Sequence, residues 1–468
     1  MGRKRKPELV PKVAFTGIAD RGKCVGRDEA GRVIFAEGPV PGDVADVLVI
    51  KKKKGLLVGV PQHYHRESEE RATPFCQHYD HCGGCQWQHL NYADQARHKQ
   101  KVVEDALLRI GKLEVETMLP IIPAERTQHY RNKLEFSFSN RRWLTPEELN
   151  TDTSNQADVL GFHRAGAFDK VIDIERCWLQ AEPSNALRNA IKRIAIEQGL
   201  SFHDARQREG LLRQVMFRLA TTGELLVLFS FFEDRPELYT PFLDAVLEAF
   251  PEITALYYCI NSKLNDFMFD LDMNLYRGQA YVEEQLGHLR FRIGPKSFFQ
   301  TNTYQGKRLY DVAADFAGLQ GGENVYDLYT GIGSIGLYLA ERCRQVVGIE
   351  EIPEAIEDAW QNAALNQIAN AVFYAGDVKD ILTAEFAAKH GKPDVLVTDP
   401  PRAGMHPKVV EMLLQLAAPR IVYVSCNPAT QARDLQGLSA KYRVLKAQPV
   451  DMFPHTHHIE NVALLELR

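Results

Sequence analysis

One cysteine of the eight stands where chemistry is expected. Cys426 closes the apolar run "RIVYVS" and precedes Asn427 and Pro428, so a lone thiol ends an expected buried strand. Other strand ends carry Glu350, Gly376-Asp377 and Asp399-Pro400-Pro401, and open α/β sheets bind ligands at the carboxyl ends of their strands. A thiolate there can add to carbon 6 of a uracil. Carbon 5 then carries enolate charge and can take a methyl group from a sulfonium, after which a base must remove the carbon-5 proton. Glu460, in "FPHTHHIENVALLELR" before the last strand, is the candidate base. His455, His457 and His458 have no carboxylate or cysteine cluster to complete a metal site and read as a polar active-site loop. Cys24, Cys259 and Cys343 fit inert buried thiols.

The thiol needs a methyl donor nearby. "VYDLYTGIGSIGLYLAER" reads as strand, glycine loop and helix, with Gly331, Gly333 and Gly336 in G-x-G-x-x-G spacing. Glycine there lets the backbone turn tightly and approach a ligand. Glu350, at the end of the next strand, can hold both ribose hydroxyls. A nicotinamide dinucleotide or S-adenosylmethionine would fit. A dinucleotide needs a second mononucleotide half, whereas this chain ends in a Pro-Pro strand, a Cys strand and a terminal strand pair, which favours S-adenosylmethionine. In "DPPR", Arg402 stands where methylases of exocyclic nitrogens carry an aromatic, which argues against amino methylation.

A second group of thiols is separate. Cys76, Cys82 and Cys85 lie within ten residues, with Gly83 and Gly84 letting the loop wrap closely. Soft ligands so spaced select zinc or an iron–sulfur cluster, and Cys177 in "VIDIERCWLQ" is the best fourth ligand.

These residues must be positioned by more than one domain, because 468 residues exceed one ordinary core. Residues 12 to 62 alternate as short strands with glycine turns, as in a small oligonucleotide-binding barrel. Residues 1 to 60 hold 13 Lys/Arg against 7 Asp/Glu, including Lys51 to Lys54, within a chain of net charge -5; such a face suits phosphates. "HYHRESEERAT" reads as a linker. "NYADQARHKQKVVEDALLRIG" reads as a helix capped by Asn91, with Val102, Val103, Ala106, Leu107 and Ile110 on one face. Strands dominate from 125 to 290, with a hairpin around Thr222-Gly223 and a polar loop over 145 to 158. "YRNK", Tyr130 to Lys133, reads either as an RNA contact or as a solvated strand edge. From 291 strands and helices alternate as in a doubly wound, mostly parallel sheet. The division is 1–65 barrel, 66–290 central domain, with the helix over 92–111 able to pack on the last domain, and 291–468 methyltransferase domain. No apolar run reaches the ~18 residues of a membrane span, and the amino terminus lacks a signal-peptide core. A cytoplasmic monomer with reduced thiols is expected.

The motifs "CQHYDHCGGCQWQ", "HYRNKLEF", "FFQTN", "DLYTGIGSIG", "TDPPR", "SCNPATQARD" and "FPHTHHIE" together resemble the RNA uracil-C5 methyltransferases essentially end to end. The likeness is to the branch with an amino-terminal TRAM barrel that modifies 23S ribosomal RNA. It implies a class I, Rossmann-like methyltransferase domain behind an OB-type TRAM barrel and a β-rich central iron–sulfur domain. By the same resemblance Cys426 is the nucleophile and Glu460 the base. Gln300, Tyr329, Ser334, Glu350, Asp377 and Asp399 contact S-adenosylmethionine, and Cys76, Cys82, Cys85 and Cys177 hold a [4Fe–4S] cluster. Many relatives have Cys and Asn where this chain has Thr330 and Ser334. The implied substrate is a single-stranded or flipped-out uridine, in 23S ribosomal RNA, another ribosomal position or transfer RNA. A non-enzymatic RNA-binding protein and an electron-transfer oxidoreductase are the rival classes.

Overall fold

Short alternating strands can bury their apolar faces only against one another, and at the amino terminus they do so by closing. The computed structural model describes residues 8–53, 55–145, 147–151, 154–164 and 166–468. Glu8–Ile18, Cys24–Arg27, Val33–Ala36, Val44–Lys53 and Leu56–Arg66 form a closed barrel around Val13, Phe15, Ile34, Ala45 and Val47. The basic residues 1–7 and Lys54 of the lysine run lie outside the described residues. The expected linker begins later than its composition suggests, because strand pairing continues through Arg66. That half of the strand is mostly solvent-facing, so its polar residues hid it. Arg71 then ties the chain back to the barrel through both carboxylate oxygens of buried Asp43, at 3.1 and 2.7 Å.

The central sheet has seven strands, in the order Asn274–Gly278, Ile253–Ile260, Leu225–Phe231, Leu212–Leu219, Lys133–Arg141, Gln156–His163 and Val171–Asp173. The hairpin around Thr222-Gly223 is present, with Leu219 opposite Leu225. Val215, Phe217, Val227 and Phe229 pack beneath the helices Ser184–Glu197 and Pro236–Ala249. Met216, Leu226 and Leu228 join the core of the carboxyl-terminal domain instead. Burial on both faces explains why these strands read as continuous apolar runs.

The carboxyl-terminal sheet has eight strands, in the order Ala371–Ala375, Gln345–Glu350, Asn324–Leu328, Val395–Thr398, Arg420–Ser425, Glu460–Leu467, Tyr442–Val450 and Val115–Met118. The first five are parallel and Glu460–Leu467 runs antiparallel to its neighbours. Two features bear on the expected division at 290/291. Val115–Met118, far upstream, extends this sheet in parallel with Tyr442–Val450. The boundary itself falls inside the strand Leu289–Ile293, where the amides of Arg290 and Arg292 donate to Asn366 and Asn362, at 2.9 and 2.8 Å. These bonds make the hairpin part of the carboxyl-terminal domain.

The helix Tyr92–Asp105 continues as a π turn, Ala106–Ile110, and packs on the helix Pro428–Leu438. Asn91 caps it by accepting from the Asp94 amide at 3.2 Å. Val103, Ala106 and Leu107 are buried, but Ile110 is 50% exposed, and Gln95, His98 and Lys99 are buried in its place. The helix lies on a polar loop, so polar side chains face inward. Among the described residues no helix is long and apolar enough to cross a membrane.

Candidate active site

Parallel pairing brings the carboxyl ends of successive strands to one edge, and the glycine loop opens there. Tyr329, Gly331 and Gly333 take positive φ of 62°, 55° and 82°, a turn that favours glycine at the last two. Buried Asp327 sits under the loop and accepts from Thr330 Oγ1 and, at 2.9 Å, from the Gly336 amide. A Cβ on Gly336 would stand 2.8 Å from that carboxylate, which is why glycine is needed there. Sequence reasoning passed over Asp327, because inside an apolar strand it carries no signal of its own.

Glu350 accepts from the Gly331 and Ile352 amides at 3.0 and 3.1 Å, fixing its carboxylate between loop and next helix. Asp377 caps the helix Val378–Ile381 and pairs with Lys379. The charges of Asp377 and Glu350 reach the Tyr329 hydroxyl and, with burial as the larger cause, push its pKa up. Ser334 opens the helix Ser334–Ala340 with its hydroxyl 2.8 Å from that of buried Tyr310. Tyr310 in turn feels Asp399, Asp327 and Glu460. Gln300 is buried ahead of the helix Thr303–Ala317, its carbonyl accepting from Asn132 Nδ2 at 2.9 Å. These contacts join Tyr329, Ser334, Glu350, Asp377 and Asp399 into one edge.

The strand register brings the reacting groups together. Ser425 pairs with Asn461 across the antiparallel strands, so Glu460 comes beside Cys426. Asn427 caps the helix Pro428–Leu438, and its amide donates to Ser425 Oγ at 3.1 Å, fixing the turn that carries the thiol. Burial, then the charges of Glu460 and Asp399, push the half-buried thiol up to about 12, and Arg402 partly offsets them. Glu460 is 4% exposed. Burial and the neighbouring Asp399 charge raise its pKa far above the usual carboxylate range. Asp399 is raised too, by burial and by Asp327. The site sets a half-buried thiol beside two carboxyls whose burial favours their protonated forms.

The loop from Asp451 to His458 is held from several sides. Lys99 Nζ donates to Asp451 at 2.6 Å with both side chains fully buried, and to the Phe453 carbonyl at 3.0 Å. Tyr92 also donates to Asp451, at 3.0 Å. The Gln86 and Trp87 amides donate to the His455 carbonyl at 2.8 and 3.0 Å, and Gln95 Nε2 lies 3.1 Å from His455 Nδ1. In "YRNK", Arg131 and Lys133 are half-exposed, whereas Tyr130 and Asn132 turn inward. Tyr130 is buried and donates to the Pro454 carbonyl at 3.0 Å, and Asn132 is buried against Gln300 and Thr303. On a helix surface or strand edge such polar residues look solvated, so the sequence held no sign of this brace.

The four thiols expected to act together influence one another electrostatically. Each of Cys82, Cys85 and Cys177 has its pKa raised first by burial and then by charges on other thiols of the set, Cys76 included. The Gly84 amide donates to Cys82 Sγ at 3.4 Å, and the Cys177 amide to Asn185 Oδ1 at 2.7 Å. Among the described residues, no group of three or more His, Cys, Asp or Glu side chains is arranged to hold a metal ion.

Comparisons with known proteins bear on family and fold. The family model of tRNA (Uracil-5-)-methyltransferase matches residues 271–468, and that of the TRAM domain matches residues 10–61. An uncharacterized RNA methyltransferase of Bacteroides thetaiotaomicron is 53% identical, covering 96% of this chain and 100% of its own. Another, of Porphyromonas gingivalis, is 50% identical over 96% and 98%. The crystal structure of Pyrococcus abyssi tRNA (uracil-54, C5)-methyltransferase in complex with S-adenosyl-L-homocysteine superposes with a TM-score of 0.74 at 29% identity, covering 97% and 99% of the two chains.

Proposed function

The chain belongs to the S-adenosylmethionine-dependent RNA uracil-5-methyltransferase family, and from that premise we propose that it methylates carbon 5 of a uridine in 23S ribosomal RNA through a covalent Cys426 adduct. The observation that carries the reading is the pairing of Ser425 with Asn461, which sets Glu460 against the thiol.

Cys426 gives up its proton to solvent and bonds to carbon 6, and the C5=C6 pair moves into the enolate. Bound S-adenosylmethionine would supply a methyl group on a sulfonium: the enolate pair bonds carbon 5 to that methyl, and the methyl–sulfur pair stays on sulfur in the departing S-adenosylhomocysteine. Glu460 takes the carbon-5 proton, the double bond re-forms, and the carbon 6–sulfur bond breaks to return the thiolate. Glu350 would hold the ribose hydroxyls, with Gln300, Tyr329, Ser334, Asp377 and Asp399 as the other cofactor contacts. The TRAM barrel would contact RNA phosphates.

Cys76, Cys82, Cys85 and Cys177 would hold a [4Fe–4S] cluster. The donor chemistry supports that set, since thiolates suit iron–sulfur cores and Gly83 and Gly84 let the loop wrap closely, while among the described residues the side chains stand apart from a metal-holding arrangement. Methyl transfer involves no net oxidation or reduction, so its role would be to anchor the loop whose Gln86 and Trp87 amides grip His455.

One observation favours transfer RNA as the substrate: the solved relative of like fold acts on tRNA uracil-54. The two targets are separable. The purified protein is expected to place 5-methyluridine in unmodified 23S ribosomal RNA and to leave transfer RNA unmethylated. Methylation of transfer RNA alone would replace the ribosomal target and leave the chemistry standing.

The raised carboxyls add a pH dependence. Asp399 and Glu460 are protonated at low pH and ionise as pH rises through their raised pKa values, so attraction for a sulfonium grows with pH. S-adenosylhomocysteine, a neutral thioether, lacks that attraction. Affinity for S-adenosylmethionine relative to S-adenosylhomocysteine is expected to rise roughly tenfold from pH 6 to pH 8. Calorimetric titration across that range checks it, and a flat ratio would show that the carboxyls do not face the sulfonium.

A further inference from the structure

Arg402 is an exposed residue with three attachments. Its carbonyl accepts from Asn427 Nδ2 at 3.0 Å and from Thr430 Oγ1 at 3.2 Å, which clasps the Pro-Pro loop to the turn bearing Cys426. Its Nη2 lies 3.3 Å from His458 Nδ1, two residues before Glu460. The clasp and the His458 contact hold its side chain beside the turn that bears Cys426, where its charge lowers the pKa of the thiol. A guanidinium has no lone pair to offer, so Nδ1 of His458 accepts and the ring proton sits on Nε2.

We propose that Arg402 is the cation that makes Cys426 a nucleophile, fixed over the thiol by His458 and by the backbone clasp. This rests on the covalent reading above and names the residue that activates its thiol. The charged groups that act on Cys426 are Glu460 from the last strand and Asp399 and Arg402 from the Pro-Pro loop, and His458, from the loop between, touches Arg402. On the helix that follows the thiol, Arg433 is paired with Asp434. His458 is driven down to about 3 by burial and by neighbouring cations and His457, so it stays neutral and accepting throughout the working range. Both carboxyls oppose a thiolate, and Arg402 is the cation that faces it. The thiolate, not the thiol, is the attacking species, and an adjacent guanidinium raises its population.

The test reads the thiol without requiring methylation. Alkylation of Cys426 by iodoacetamide, followed by mass spectrometry of its peptide, is measured from pH 8 to pH 10 for the whole protein and for Arg402→Gln and Arg402→Lys. Arg402→Gln is expected to slow alkylation about tenfold at every pH, and Arg402→Lys to recover most of the loss, since a lysine keeps the charge but not the fork. Adduct formation with 5-fluorouridine RNA should slow in Arg402→Gln by a similar factor or more. An Arg402→Gln rate within twofold of the unaltered protein overturns the proposal. So does a faster rate, because a merely structural Arg402 would open the turn and expose the thiol. If Cys426→Ala still methylates RNA, the covalent reading fails, yet the alkylation profile still reports whether Arg402 governs the thiol.

Discussion

Cys426→Ala is expected to lose RNA methylation by roughly 10,000-fold or more, because loss of a nucleophile removes the whole covalent route. It should also fail to form the stable adduct that the unaltered protein forms with RNA containing 5-fluorouracil, where fluorine cannot leave carbon 5 as a proton does. The loss should not come from unfolding. The turn is held by Asn427 and Ser425, through bonds that do not use the sulfur. S-adenosylmethionine binding and melting temperature should therefore stay near those of the unaltered protein. Denaturing gels with labelled RNA read the adduct, and a methyl-transfer assay reads the rate. Full activity in Cys426→Ala, with no adduct in the unaltered protein, would end the covalent mechanism. The raised thiol pKa adds a condition. In the free protein Cys426 should be nearly inert to alkylating agents at neutral pH, and reactivity should appear as bound cations offset the two carboxyls.

The residues that report locally were legible. The glycine loop announces itself because positive φ demands glycine within a strand–loop–helix pattern. The thiol strand, the Thr222-Gly223 hairpin and the Asn91 cap follow from short-range periodicity and turn chemistry. What stayed hidden depends on residues far apart in the chain. Lys99 and Asp451 are a surface lysine and a loop aspartate until folding buries them against each other. Val115–Met118 is four residues long and only partly buried, and it becomes a strand because Tyr442–Val450 offers an edge. Tyr130 and Asn132 looked like RNA contacts because an aromatic beside cations has that composition, and only the fold shows them turned toward Pro454 and Gln300. The site is thus local in its reacting groups and non-local in what holds them, so its chemistry could be read before its rigidity.

Glu460→Gln separates addition from release. The carboxyl is buried, and burial and the Asp399 charge raise its pKa. Glutamine is neutral, nearly the same shape and still able to hydrogen-bond, so the substitution leaves the strand start and its pairing with Val450 in place. Thiol attack on carbon 6 and methyl transfer to carbon 5 need no base at this position, and both should proceed. Removal of the carbon-5 proton does need one, and an amide cannot take it. The expected result with ordinary uridine RNA is a methylated, covalently bound intermediate that accumulates and survives denaturation, with turnover lowered by about 100- to 10,000-fold, the range of a lost general base. A carboxylate whose proton affinity has been raised suits that task better than an ordinary one, since it holds the proton it takes more tightly. The charge order also points to when it acts: Glu460 ionises most readily once a sulfonium lies in the cleft, and it is needed only after that methyl has moved. Rapid turnover without adduct in Glu460→Gln would move the base elsewhere, and the nearest group able to replace it is Asp399, whose charge already reaches Glu460. An Asp399→Asn protein that accumulates the adduct in its place would make that assignment.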